Sequence, residues 1–122
     1  MAAYNSHQRG RLAEEKAFSF LKKNGLKPLE RNYTTTRGEI DIIMQDGETI
    51  VFIEVRARTQ NNIVDALETI DRRKCSNIIY ASEHYLQKHK KTNRSICRFD
   101  IIILAGPLKI AKIEWIKNAF EA

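Results

Sequence analysis

Cysteine is nearly absent from this sequence, and so is any long apolar run. Only Cys75 and Cys97 occur, far from a C-x-x-C spacing, which leaves no disulfide framework or paired-cysteine motif and favours a reducing, cytoplasmic setting. No apolar stretch approaches the ~20 residues of a membrane-spanning helix. The opening residues MAAYNSHQRG carry none of the hydrophobic segment of a signal peptide. Internal repeats and low-complexity tracts are missing too. The expectation is a soluble intracellular chain.

What remains is a mixed composition with a definite sign. The 122 residues suffice for one domain, 1–122, with a modest core, and 43% hydrophobic with 30% charged residues suits a globular fold. Net charge is +6 and the sequence pI is near 9.5, which favours an anionic partner, nucleic acid ahead of an anionic membrane. Solubility alone is the plain alternative, and charge does not decide between them.

The most organised stretch runs from Arg37 to Arg58, RGEIDIIMQDGETIVFIEVRAR. Apolar and polar residues alternate along Glu39 to Met44 and Thr49 to Arg58, and Asp46-Gly47 between them is a strong hairpin signal. A turn symmetric about Asp46-Gly47 pairs Met44 with Thr49, Ile42 with Val51, Asp41 with Phe52 and Glu39 with Glu54, and opposed residues share a face. One face is then Ile40, Ile42, Met44, Val51, Ile53 and Val55, wholly apolar and destined for burial. The other carries Ile43, Ile50 and Phe52 near the turn, with Glu39, Asp41, Glu54 and Arg56 at the far end.

Ahead of the hairpin, Ser6 to Lys23 reads as a helix with Ala13, Ala17, Phe20 and Leu21 on one face and Asn24-Gly25 as its stop. On a helical wheel Glu14 falls about 60° from the centre of that stripe, at its rim, while Glu15 points to solvent. Taken alone, Glu14 reads as an ordinary boundary glutamate near a helix start. Leu26 to Tyr33 reads as a short strand, with Pro28 suggesting an edge or a start.

Behind the hairpin, TQNNIVDALE has no clear period and reads as a loop near the acidic end. A second helix runs from Asp71, a plausible N-cap, to Lys88, with Cys75, Ile78, Ile79, Ser82, Tyr85 and Leu86 along one side. Its first turn holds Arg72, Arg73 and Lys74, which oppose the helix dipole. HKKTNRS is a basic loop. Cys97 to Leu104 is an apolar strand, and beyond Gly106-Pro107 the stretch Leu108 to Ile116 alternates as a last one. Trp115 and Phe120 read as core or cover. Helix, three strands, helix, two strands describes an α/β or α+β domain with its central strands between two helices.

Carboxylates held close together on rigid strands repel unless protonated or given a cation. Asp41, Glu54 and a main-chain carbonyl such as that of Val55 offer the hard oxygen ligands that Mg²⁺ takes, and such an ion assists phosphodiester hydrolysis. Arg56 on the same face suits a phosphate grip and is a poor general base. The plainer reading makes Glu39 and Glu54 a strand-end pair neutralised by Arg37, Arg56 and Arg58. Against it, these charges interrupt a strand that is apolar on both faces, where charge is costly without a use.

Asp41 followed, after twelve intervening residues, by Glu54-Val55-Arg56 resembles the D…(D/E)-x-K signature of restriction-endonuclease-like nucleases, most closely that of archaeal Holliday-junction resolvases. Gly10-x-x-x-Glu14 matches the place where that group adds a glutamate from its first helix. Along nearly its whole length the chain is similar to the uncharacterised bacterial YraN-like family. The residues that carry this are Gly10, Glu14, Asn32, Gly38-Glu39-Ile40-Asp41, Phe52-x-Glu54-Val55-Arg56-x-Arg58, Lys74 and Arg98-Phe99-Asp100.

The resemblance implies an α/β, restriction-endonuclease-like fold with a mixed central sheet of about five strands flanked by helices. It implies Glu14, Asp41 and Glu54 around Mg²⁺ or Mn²⁺, Arg56 on phosphate, nucleic acid (structured or branched DNA) as partner, no membrane, and a homodimer. Arg58, Arg72, Arg73, Lys74, Lys90 and Lys91 are the candidate backbone contacts. One departure bears on activity: Arg56 stands where the nuclease signature has lysine, and Arg58 or Lys74 is the alternative source of an ammonium-like charge. The rival expectations are a non-catalytic nucleic-acid-binding module on the same fold and a protein-interaction domain.

Overall fold

The computed structural model describes residues 5–58, 63–90 and 96–122. The first helix, α1, spans Ser6–Lys23. Asn5 caps it: its side chain accepts the Gln8 N–H at 2.8 Å while the Gln8 side chain accepts the Asn5 N–H at 3.0 Å, which satisfies two otherwise orphaned donors. Ala13, Ala17 and Leu21 enter the core, and Gly25 ends the helix at a φ of 93°.

Strands β1 (Lys27–Thr34), β2 (Glu39–Asp46), β3 (Thr49–Arg58), β4 (Ile96–Ala105) and β5 (Lys112–Phe120) form one sheet in that order. Every neighbouring pair is antiparallel except β3 and β4. The connection between those two carries α2 (Ile63–Glu68) and α3 (Arg72–Lys88), the kind of crossover a parallel pair needs. α1 covers one face of the sheet, over Ile42, Met44, Val51, Ile53 and Ile102. α3 covers the other, with Ile78, Ala81 and Tyr85 on Ile43, Phe52 and Phe99. α2 extends that cover by setting Ala66 against Ile101 and Ile103. Burial on both faces is why β3 and β4 are nearly continuous apolar runs. This mixed five-stranded sheet flanked by helices is the α/β architecture that the resemblance implies.

Four local expectations change. The hairpin turns on Gly47-Glu48, with Asp46 opposite Thr49, Met44 opposite Val51 and Ile42 opposite Ile53. Centring the turn on Asp46-Gly47 would require Asp46 to turn left-handed, whereas of the two only Gly47 adopts that region, at φ 61°. Because the register moves by two, the face assignments survive while the partners change.

Ile40 is the exception, since it packs with Tyr33 under α3 rather than with Ile42 under α1. The alternation breaks where Asn32, at φ 53°, lies across from Asp41 between the pairs Arg31–Ile42 and Tyr33–Ile40. Part of TQNNIVDALE is helix α2 rather than loop, because a single turn is too short to show a period and Ala66 is fixed by burial. Gln60, Asn61 and Asn62 lie outside the described residues. The last strand starts at Lys112 after a 3-10 turn at Leu108–Ile110 and runs on to Phe120. A bulge there, with Asn118 at φ 53°, delivers the Asn118 N–H to the Asp100 carboxylate at 2.9 Å.

Candidate metal and nucleic-acid site

The register change assembles the site. Carried one step beyond Ile42–Ile53, the ladder sets Asp41 opposite Glu54, where symmetry about Asp46-Gly47 would set Glu39. The Val55 N–H donates to Asp41 Oδ2 at 2.8 Å, so a side chain takes the place of a strand carbonyl. Asp41 is 8% exposed and Glu54 only 2%. Both border a cavity of about 410 Å³ that Arg9, Gly10 and Glu14 line from α1, Arg58 from β3 and Lys74 from α3.

Two carboxyls buried side by side do not both ionise readily. Burial raises Asp41 above its ordinary range, opposed by the Val55 N–H. Glu54 is pushed up to about 8, first by burial and then by the Asp41 charge, against the pull of Arg56 and Lys74. Glu14 reaches about 7 through burial and the Asp41 and Glu39 charges, with Arg31 and a hydrogen bond from Asn32 pulling the other way. The Asp41 charge acts on both Glu14 and Glu54, and a cation bound among them would relieve that repulsion.

Two cations already stand at Glu54. Arg56 Nη1 lies 2.7 Å and Lys74 Nζ 3.6 Å from Glu54 Oε2. The Arg56 Nε–H also donates to Thr69 Oγ1 at 3.1 Å, and that hydroxyl donates to the Ala66 carbonyl at 2.6 Å. Neither contact has hydrogen-bond geometry at Glu54, whose carboxyl instead shares a hydrogen bond with that of Asp41.

The structure thus brings Glu14, Asp41, Glu54, Arg56, Arg58 and Lys74 to one cavity, with Glu39 at its margin. Among the described residues no three acidic, histidine or cysteine side chains already stand together as a ligand set. Asp41 and Glu54 form a preassembled pair, and Glu14 sits on the rim. Arg72 and Arg73 border a different cavity, together with Arg37. Lys90 follows the C-terminal end of α3, roughly 25 Å from the first turn at 1.5 Å per residue. Lys91 lies outside the described residues.

Two residues that sequence reasoning left without a role belong here. Asn32 bends β1 beside Asp41 and hydrogen-bonds Glu14; the available signal was the asparagine itself, which after glycine most readily takes a left-handed φ. Arg9 lines the cavity one helical turn before Ala13, a spacing that shares its face. Gly10 is costly inside a helix, and a Cβ added there would meet nothing within 4 Å. Gly10→Ala is therefore expected to stabilise the protein by about 0.5–1 kcal/mol, read as a higher urea midpoint with unchanged m.

The model of the uncharacterised protein family UPF0102 matches residues 13–104. A UPF0102 protein of Stutzerimonas stutzeri is 41% identical over 117 residues, covering 96% of this chain and 98% of the relative. One from Pseudomonas aeruginosa is 40% identical over 120 residues, 97% and 96% of the two chains. Another, from Legionella pneumophila, is 42% identical over 117 residues, 96% and 98%. On the extent of these matches the chain belongs to UPF0102, the YraN-like family.

Proposed function

We propose that this protein is a divalent-metal-dependent nuclease-like protein of the cytoplasm that hydrolyses phosphodiesters in structured or branched DNA. The observation that carries the reading is the Asp41–Glu54 pair: two buried carboxyls, raised in pKa and held against one another, with neither nearby cation in hydrogen-bond geometry at Glu54. An all-oxygen acidic donor set suits Mg²⁺ or Mn²⁺. Asp41 and Glu54 would hold the ion, with Glu14 reaching in from α1. Bound there, the ion would supply a hard Lewis acid that polarises a phosphoryl oxygen and acidifies water.

The chain's own cations divide the remaining work. Arg56 is a planar fork suited to a phosphate, and release from Glu54 would free it for that role. Lys74 brings a compact ammonium to the same carboxylate from α3, and so supplies from a helix what Arg56 does not supply from the strand. Arg9 and Arg58 rim the cavity and add positive potential for a backbone.

A second reading has its own observation: Arg56 and Lys74 together already act as counter-ions of Glu54. A nucleic-acid-binding module that has exchanged the metal for built-in cations would look the same. Cleavage of branched, nicked and flapped DNA with Mn²⁺ separates the two. Under the first reading wild type turns over and Asp41→Ala loses at least ~10³-fold of the rate, while Lys74→Ala loses ~10²-fold and still takes up Mn²⁺. Equal product from wild type and Asp41→Ala would exclude this site as its source. Salt-dependent binding that survives Asp41→Ala, with no turnover under any metal, would favour the second reading.

A further inference from the structure

On the other side of the first turn of α3 lies a cavity of about 710 Å³ lined by Thr36, Arg37, Arg72, Arg73, Ser76 and Asn77. It shares no lining residue with the carboxylate cavity. Its chemistry is one-sided: three guanidinium groups, a hydroxyl pair and an amide, with no carboxylate in the lining. None of Arg37, Arg72 and Arg73 takes part in a salt bridge among the described residues.

The cavity is built from two elements that are locked together. The turn from β1 to β2 is closed by Thr35, whose hydroxyl donates to the Gly38 carbonyl at 2.7 Å and accepts the Gly38 N–H at 3.1 Å. Gly38 lies against α3 so closely that an added Cβ would sit 2.8 Å from the Asn77 carbonyl oxygen. This fixes Arg37 over the Tyr80 ring, 4.7 Å from its centroid, where the face of the ring holds the guanidinium. Arg72 and Arg73 come from the start of the helix, whose first turn has no acidic residue. Placing cations there opposes the helix dipole, and the N-cap position is already taken by Asp71, which accepts the Lys74 N–H at 2.9 Å. The pocket therefore owes its character to one arginine positioned by an aromatic ring and two that gain nothing from the helix that carries them.

We propose that this pocket is a second phosphate site, which grips the backbone of the same nucleic-acid strand that the carboxylate cavity receives. The inference rests on the nucleic-acid reading above and adds to it a footprint. Lys74 faces one cavity while Arg72 and Arg73 face the other, so the breadth of one helix, about 10–12 Å, separates them. At the ~3.4 Å rise per nucleotide of a stacked, B-form strand that is roughly three nucleotides, and fewer in an extended strand. A dinucleotide reaches one site; a strand of about five nucleotides reaches both.

The test measures binding of 2-, 5- and 8-nucleotide strands and of a short duplex, in EDTA so that no cleavage intervenes, across a salt series. Wild type is expected to gain at least tenfold in affinity between 2 and 5 nucleotides. Arg37→Ala/Arg73→Ala is expected to lose that gain, with a salt slope lower by about 1.4 on single strands or 1.8 on duplex. Arg37→Lys/Arg73→Lys should recover the slope. The same length dependence and slope in the alanine variant would overturn the second site and leave the carboxylate reading standing. Wild type that binds no strand at low salt would overturn it as well, and a Mn²⁺ titration then reads the carboxylate site separately. Inorganic phosphate that binds wild type as tightly as the 5-nucleotide strand would make the occupant a free anion and overturn the backbone assignment.

Discussion

Glutamine in place of Glu54 is expected to do two opposite things at once: raise the melting temperature of the metal-free protein at pH 8 and abolish its response to Mn²⁺. The first effect follows from linkage. Between its unfolded and folded pKa values a raised carboxyl is protonated in the fold and ionised in the unfolded chain. The folded state then binds more protons, and stability falls as pH rises. For Glu54 that window runs from the ordinary 4.5 to about 8, and for Glu14 from 4.5 to about 7. The metal-free wild type should therefore be most stable near pH 4.5–5, on this account, and lose stability steadily up to pH 8.

Glutamine keeps the shape of Glu54 without the charge, so the variant should flatten that slope and gain about 1–2 kcal/mol at pH 8, a common benefit of relieving a functional site. The second effect follows from mass action. At a hundredfold excess over its Kd, Mn²⁺ should stabilise wild type by about 2.7 kcal/mol and the variant by none. Melting curves at pH 5 and 8, with and without Mn²⁺, read both. A variant no more stable than wild type at pH 8, or one that still responds to the metal, would refute the assignment.

Asp100→Ala should produce the largest loss of stability, and it should do so without touching metal uptake. Asp100 is fully buried yet satisfied: Arg98 Nε–H donates to its two oxygens at 3.1 and 3.2 Å, the Trp115 indole N–H at 2.9 Å and the Asn118 N–H at 2.9 Å. Arg98 reaches on to Asp46 at 2.9 Å, beside the hairpin turn, so one carboxylate ties β2, β4 and β5 together. Removing one partner of a buried charge pair strands the others, at a cost of about 3–5 kcal/mol. For a chain of this size that is a fall of roughly 10–25 °C in melting temperature. Asp100→Asn, which keeps one acceptor oxygen, should lie between. A loss under 1 kcal/mol for the alanine variant would contradict this role. Both Asp100 and Glu54 are buried acids on adjacent strands, but Asp100 is met by N–H donors and Glu54 by a second carboxyl.

The parts of this architecture that rest on periodicity were legible from the residues. α1 has the bounds that its alternating alanines and the Asn24-Gly25 stop suggest, and α3 starts at its Asp71 cap. The sheet faces, Ile40 apart, follow from period-two patterning, which a register error of two cannot disturb. What periodicity could not give is pairing. Whether Glu39 or Asp41 stands opposite Glu54 depends on which single residue turns left-handed, and Asp46-Gly47 and Gly47-Glu48 are equally consistent with the flanking alternation. The family pattern favoured Asp41 as a ligand, diagonal to Glu54 under the expected turn, and the register found here carries it directly opposite.

Long-range contacts were out of reach for the same reason. Nothing in the spacing of Lys74 or Arg9 reveals that one comes to Glu54 and the other to the cavity rim. Nor does the run Arg72-Arg73-Lys74 show that the helix splits it between two cavities. Trp115 looked like a cover residue, and its indole N–H turns out to serve Asp100.

The central claim is that Asp41 and Glu54 form a divalent-metal site, and a crystal soaked in Mn²⁺ near pH 8 tests it most directly. The account requires an anomalous peak between the two carboxylates, with oxygen ligands at about 2.0–2.2 Å, and Arg56 drawn away from Glu54. A crystal that shows no peak there, with Arg56 still against the Glu54 carboxylate as it is now at 2.7 Å, would contradict it.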